Sequence, residues 1–156
     1  PRGIANYAEL VNTFFILYVC IGDKKYIDTS REIALWILKN QLVSGAFKDT
    51  EKSYFSYTRG TSKATEVLSL FNTISKDKLI NDYKGETLKA FAWLLSMQYD
   101  ASNSFFINSR EVKKYLGGFR HDYLNSEAWI DSAAHLILAA TRFCTKNIHA
   151  KTKEVE

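Results

Sequence analysis

Residues 117–135, GGFRHDYLNSEAWIDSAAH, concentrate acid–base groups, a guanidinium and aromatic rings in one short stretch. Asp131 and His135 are four positions apart, so on a helix they share a face. An ionised carboxylate beside an imidazole favours the charged ring and can set it up as a general acid or base. Asp122, Glu127 and Asp131 add carboxylates of the kind glycoside hydrolysis uses in pairs, one as acid and the other as base or nucleophile. The candidate catalytic set is therefore Asp122, Glu127, Asp131 and His135. The distance between carboxylates separates inverting from retaining chemistry, and spacing along the chain does not give it. A plainer reading covers the same pair: Asp131 accepts from backbone N–H groups near a helix start, and His135 is a hydrogen-bonded residue of an inner helix.

Candidate binding groups flank this set. Arg59 and Arg120 lie in two loops of matching character and can each grip a carboxylate or phosphate with two parallel hydrogen bonds. Arg59 can equally pair with Glu66 or Asp49. His121 adds a further polar group, and Tyr57, Phe119, Tyr123 and Trp129 would make a stacking wall for a sugar ring or an apolar substrate. Aromatic rings in such loops also serve as lids over a core. Asp131 and His135 offer two metal ligands, but no third is spaced to join them, so no metal is expected. No Gly-rich phosphate loop, nucleophile elbow, His-Glu-x-x-His or cysteine–histidine pairing is present, and no cofactor is expected.

These side chains need a scaffold, and the composition says of what kind. The chain has 156 residues, 46% of them apolar and 14% aromatic, enough for one domain with a sizeable core. The only proline is Pro1, so no helix is broken from within. The net charge of +4 is carried by dispersed lysines such as Lys24, Lys25, Lys76, Lys78, Lys113 and Lys114. That describes a solvated surface and argues against a nucleic-acid partner. Cys20 and Cys144 each sit in an apolar run and read as buried free thiols. LVNTFFILYVCIG is the most apolar stretch but is read as short of the ~18 residues of a membrane span. It also lacks the basic start and cleavage site of a signal peptide. No membrane partner and a cytoplasmic location are expected. The chain opens at Pro1 without an initiator Met, which suggests a piece of something longer.

Helical periodicity predicts an all-α chain. Helices are expected over about 5–20, 24–41, 61–73, 82–98 and 127–145, with a possible short one near 110–116 and a charged tail from 148 to 156. Gly22-Asp23 reads as a stop and restart. The third helix turns Ala64, Val67, Leu68 and Phe71 inward, and the fourth Leu88, Phe91, Leu94 and Leu95. A repeat overlies these helices. WILKNQLVSGAF (36–47) returns as WLLSMQYDASNSFF (93–106), with Trp, four residues, Gln and a loop ending in Phe. The Trp should anchor the end of a helix onto its neighbour, and the Gln and Phe should fix the loop's exit. Repeated hairpins of this length imply an array, because one hairpin cannot bury its own apolar face.

ILYVCIGDKKYIDTSREIALWILKNQLVSGAF, its degenerate copy LSLFNTISKDKLINDYKGETLKAFAWLLSMQ, and GGFRHDYLNSEAWIDSAAHLILAATRF resemble the units of the (α/α) toroid superfamily. That group includes six-hairpin glycosidases, sugar 2-epimerase-like proteins and terpene-cyclase or prenyltransferase relatives; the aspartate-rich cyclase sequence is absent. The resemblance implies one toroid-like domain over 1–147, long loops gathered at one mouth of the ring, and a carbohydrate-acting hydrolase, lyase or epimerase with a sugar or other small molecule as substrate. It accounts for only about half a ring. A fragment, a self-associating half or an open arc would each fit, and a non-catalytic helical-repeat scaffold is the alternative function.

Overall fold

The computed structural model describes residues 3–49, 58–74, 83–98, 119 and 134–142. Helix α1 (Ile4–Ile21) ends where Gly22 takes the left-handed conformation, φ +79°, and its N–H closes onto the Tyr18 carbonyl at 2.8 Å. Only a residue without Cβ takes that conformation readily. Asp23 restarts the chain as the N-cap of α2 (Lys24–Lys39), its carboxylate accepting from the Lys25 N–H at 3.0 Å. This stop and restart is the one read from Gly22-Asp23, and it folds α2 back antiparallel along α1. Contacts along its length hold the hairpin, among them the buried Ser30 hydroxyl, which donates to the Val11 carbonyl at 2.9 Å, and Trp36, which meets Tyr7 with ring centroids 4.3 Å apart. Trp36 thus anchors the end of its helix onto the neighbouring one, as expected.

Helix α3 (Thr58–Ile74) is the centre of the molecule. From Thr58 to Phe71 only Arg59 and Leu70 are not buried. It runs parallel to α1, with Gly60 beside Ile4 and Lys63 beside Glu9. Helix α4 (Lys84–Ser96) packs on its other side, and a helix at 134–142, α5, reaches it through ion pairs described below. Ala64, Val67, Leu68 and Phe71 are buried as the periodicity predicts, in one core with Ile4, Ala8, Val11, Ile37 and Phe47.

The face of α4 departs from expectation. Leu94 is buried, but Leu88 and Leu95 are 47% and 59% exposed, and Thr87, Ala90 and Trp93 point inward instead. The loop after α2 causes the rotation. Its Gly45 lies directly against the Lys89–Ala90 backbone, and Gln41 donates to the Glu86 carbonyl at 2.8 Å. Only a helix presenting small side chains there can accept so close an approach.

The repeat has a structural meaning. Gln41 and Phe47 form an isolated antiparallel bridge, and so do Gln98 and Phe119. The second loop is therefore closed at Phe119, the Phe of Gly-Gly-Phe; Phe105 and Phe106, where the repeat placed the loop's end, lie outside the described residues. Trp93 is buried with Ala46, Leu94, Met97, Phe119 and Leu136 in a second cluster.

Two other expectations are corrected. Cys20 is exposed, because it lies on the face of α1 turned away from α2 and α3. And α1 is an 18-residue helix of mean hydropathy 1.5 with 17% of that window buried, long and apolar enough to cross a membrane by length and composition. Asn6, Asn12 and Thr13 interrupt the run to the eye, yet Glu9 is its one charged residue. A core helix passes the same test, and Ile4, Ala8 and Val11 do enter the core. Among the described residues the chain has five helices and no strand, so it is all-α. The tail at 148–156 and the short helix near 110–116 lie outside the described residues.

Candidate functional site: a charge cluster across three helices

Of the residues singled out for chemistry, His135, Arg59 and Phe119 are described; Tyr57, Arg120, His121, Asp122, Tyr123, Glu127, Trp129 and Asp131 lie outside the described residues. Phe119 is 5% exposed and packed against the α4–α5 core cluster. For this ring the role of a core lid is the one observed, in place of a stacking wall. Arg59 is exposed near the start of α3.

His135 sits near the start of the described part of α5 and finds its carboxylate on another helix. Its Nδ1 lies 2.5 Å from Glu66 Oε2, and Arg142 Nη1 donates to Glu66 Oε1 at 2.8 Å. Glu66 is thus shared by two partners two turns apart on α5, with its own side chain only 6% exposed. The guanidinium compensates the buried carboxylate, which would otherwise be costly to keep ionised. An ionised carboxylate only accepts hydrogen bonds, so the proton on the facing imidazole nitrogen belongs to Nδ1. In the neutral ring that leaves Nε2 as the basic atom, on a side chain 25% exposed. A histidine oriented by a hydrogen bond at one nitrogen is a usual arrangement for general acid–base catalysis.

Three residues before Glu66, the Lys63 ammonium reaches the other way, to Glu9 Oε1 on α1. The Lys63 side chain is 8% exposed and that of Glu9 56%. The hydrogen bond from Lys63 does most to hold the Glu9 carboxyl below its ordinary value. Partial burial works against it, and the charges of Lys63, Arg59 and His135 add to the lowering. Glu9, Lys63, Arg59 and His135 therefore share one electrostatic neighbourhood. The helix α3 carries alternating charges, Lys63 and Glu66, and stitches itself to α1 with one and to α5 with the other.

The sign of the Glu9 effect follows from its lowered folded value. The stabilisation is complete well above the ordinary value of 4.5 and is lost as pH falls through the folded one. Urea unfolding of wild type and Glu9→Gln should differ most near neutral pH, and the gap should close on acidification below about pH 4. A gap that stays constant down to pH 3 would remove Glu9 from the acid response.

The sequence offered Glu66 as one of two possible partners of Arg59, beside Asp49; the structure gives Glu66 to His135 and Arg142. Glu9, Lys63 and Arg142 were missed altogether. The available signal was the placement of Lys63 and Glu66 directly before the core positions Ala64 and Val67, where a solvated side chain is not expected. Among the described residues no group of three or more His, Cys, Asp or Glu side chains could hold a metal ion. No family model, curated protein or solved structure matches this chain.

Proposed function

We propose that the chain is an α/α-toroid-type module of a carbohydrate-acting enzyme, a hydrolase, lyase or epimerase, in which His135 is the acid–base group and Glu66 holds it in place. One observation carries this reading: a carboxylate 6% exposed, fixed between His135 Nδ1 and Arg142, with the imidazole itself still 25% exposed. The succession of hairpins supports the toroid part, since α1 and α3 run parallel and each returning helix ends in Trp-x4-Gln beside a Phe-closed loop. Asp122, Glu127 and Asp131, in the segment leading into α5, supply the second carboxylate that glycosyl chemistry needs. Arg59 and Arg120 bind the polar rim of the sugar.

The test is a turnover screen of neutral and acidic oligosaccharides, read by reducing-end release and by NMR of the anomeric and C2 protons. At least one substrate should be consumed, and His135→Asn should lower kcat by about 100-fold or more. A panel left untouched, or turnover indifferent to His135→Asn, rejects the proposal.

A second reading, a non-catalytic helical-repeat scaffold, is favoured by one feature: Ile16, Val19 and Ile21 on α1 are 59%, 65% and 59% exposed. Apolar side chains grouped on one helix end suit an interaction surface. The same screen separates the two, because a scaffold turns nothing over.

A further inference from the structure

Helix α1 outruns the core it enters. Its buried stripe, Ile4, Ala8 and Val11, continues at steps of four to Phe15 and Val19, yet Phe15 is only partly buried and Val19 is 65% exposed. From Asn12 to Ile21 no residue is buried. Residues 16–21, Ile-Leu-Tyr-Val-Cys-Ile, carry no charge and one hydroxyl, so this end of the helix is apolar on every side. At 3.6 residues per turn, the exposed Ile16, Val19, Cys20 and Ile21 span about 200° of its circumference. A helix seated in a protein groove presents a narrower stripe, at i, i+3, i+4 and i+7. Fluid acyl chains conform to an apolar surface of any contour and need no matching groove.

Charge complementarity names the kind of lipid. The exposed Lys24 and Lys25 follow directly beyond Gly22 and Asp23. Lys25 pairs with Asp23 at 2.8 Å, and the next charges along α2, Asp28 and Arg31, pair with each other at 3.0 Å. The Lys24 ammonium has no ion pair among the described residues, which leaves one net positive charge beside the apolar turns. Lysine stems run along apolar surface while their ammonium groups stay in water, at the level of lipid phosphates. The partly buried Tyr18 and Tyr26 are of a type enriched at that same level. The polar turn at 22–25 keeps the hairpin from entering a bilayer point first, so α1 must lie along the surface. Ile4, Ala8 and Val11 in the core, and the Ser30 bond to the Val11 carbonyl, hold the helix in the fold and keep it from spanning.

We infer that the last turns of α1 dock this protein side-on to an anionic lipid surface, with Ile16, Val19 and Ile21 in the headgroup–acyl boundary and Lys24 at the phosphates. The inference replaces the expectation of no membrane partner. It does not depend on the acid–base reading, which uses other residues.

The experiment is flotation of the full chain with vesicles of phosphatidylcholine, alone and mixed with phosphatidylglycerol. The chain should float with the mixed vesicles and bind phosphatidylcholine alone about fivefold less tightly, a difference that shrinks in about 0.5 M salt. Ile16→Ser and Val19→Ser should each weaken binding by about tenfold, and Lys24→Gln by about fivefold on the mixed vesicles only. All three side chains are exposed, so the variants should unfold at the urea concentration of the wild type. Alkaline carbonate should release the bound chain. No flotation, equal binding to both vesicles, binding unchanged in Ile16→Ser and Val19→Ser, or a chain that resists carbonate overturns the inference. A dimer in lipid-free solution that these variants dissociate, with no flotation, gives the patch to a second copy and overturns it as well.

Discussion

Gly45→Ala is expected to destabilise the protein by about 3 kcal/mol. Two costs combine. At φ +97° an L-residue gives up about 1–2 kcal/mol relative to glycine. The added methyl would also collide with the Lys89 carbonyl, 2.6 Å from its carbon and 3.2 Å from the Ala90 nitrogen. Those are backbone atoms inside a helix, and they yield only if α4 moves away from the loop, a strain of about 1–3 kcal/mol. Two other glycines calibrate the effect. Gly22 also has positive φ, +79°, but an added Cβ there would meet nothing within 4 Å, so Gly22→Ala should cost only the conformational part. Gly85 is helical with open space around it, and Gly85→Ala should be neutral or stabilising by up to about 1 kcal/mol. Urea unfolding of the three variants should rank them in that order. A Gly45→Ala protein as stable as Gly22→Ala would mean that the loop does not press on α4.

Removing the shared carboxylate is the second large effect. Glu66→Ala leaves Arg142 and His135 facing an emptied site, and breaking a buried charge pair costs about 3–5 kcal/mol. Arg142 and His135 are 31% and 25% exposed and recover part of their hydration, so about 2–3 kcal/mol is expected here. Glu66→Gln should cost less, about 1 kcal/mol, because the amide oxygen still accepts from Arg142. The cycle of Glu66→Ala with Arg142→Met isolates the pair and should give a coupling of about 1–2 kcal/mol. Additive losses would show that the 2.8 Å contact contributes nothing. In the turnover assay Glu66→Gln should lower kcat more than KM rises, a split that simple loss of stability would not produce.

The parts of this chain that read correctly in the sequence are those set by local rules. Gly22 and Asp23 terminate and restart helices through their own backbone and side-chain chemistry, so their neighbours alone reveal them. The inner face of α3 shows as Ala64, Val67, Leu68 and Phe71 because a helix buried on that side repeats its apolar positions every three or four residues. What failed depends on partners distant in sequence. Leu88 and Leu95 look like core residues until Gly45, from the loop after α2, is seen to occupy the place where α4 turns its small residues. Phe119 closes the second loop although Phe105 and Phe106 follow Gln98 sooner in the sequence, and only the paired bridge identifies it. Glu66 finds His135 and Arg142 across a separation no helix spacing can convey. The aromatic and acidic residues between Arg120 and Asp131 lie outside the described residues; among those described, the charge cluster belongs to Glu9, Lys63 and Glu66, on helices read as scaffold.

One side-chain amide bears on how the molecule comes apart. Gln41 Nε2 donates both to the Gly45 carbonyl within its own loop, at 3.0 Å, and to the Glu86 carbonyl in the first turn of α4, the returning helix of the second hairpin, at 2.8 Å. In arrays of repeats, cooperativity is carried by the interfaces between units. A donor that serves its own loop and the next repeat together makes the folding of the first unit conditional on the second. The hairpins are then expected to melt as one transition and to form late in folding, after a long loop has closed, instead of peeling away in sequence from the N-terminus.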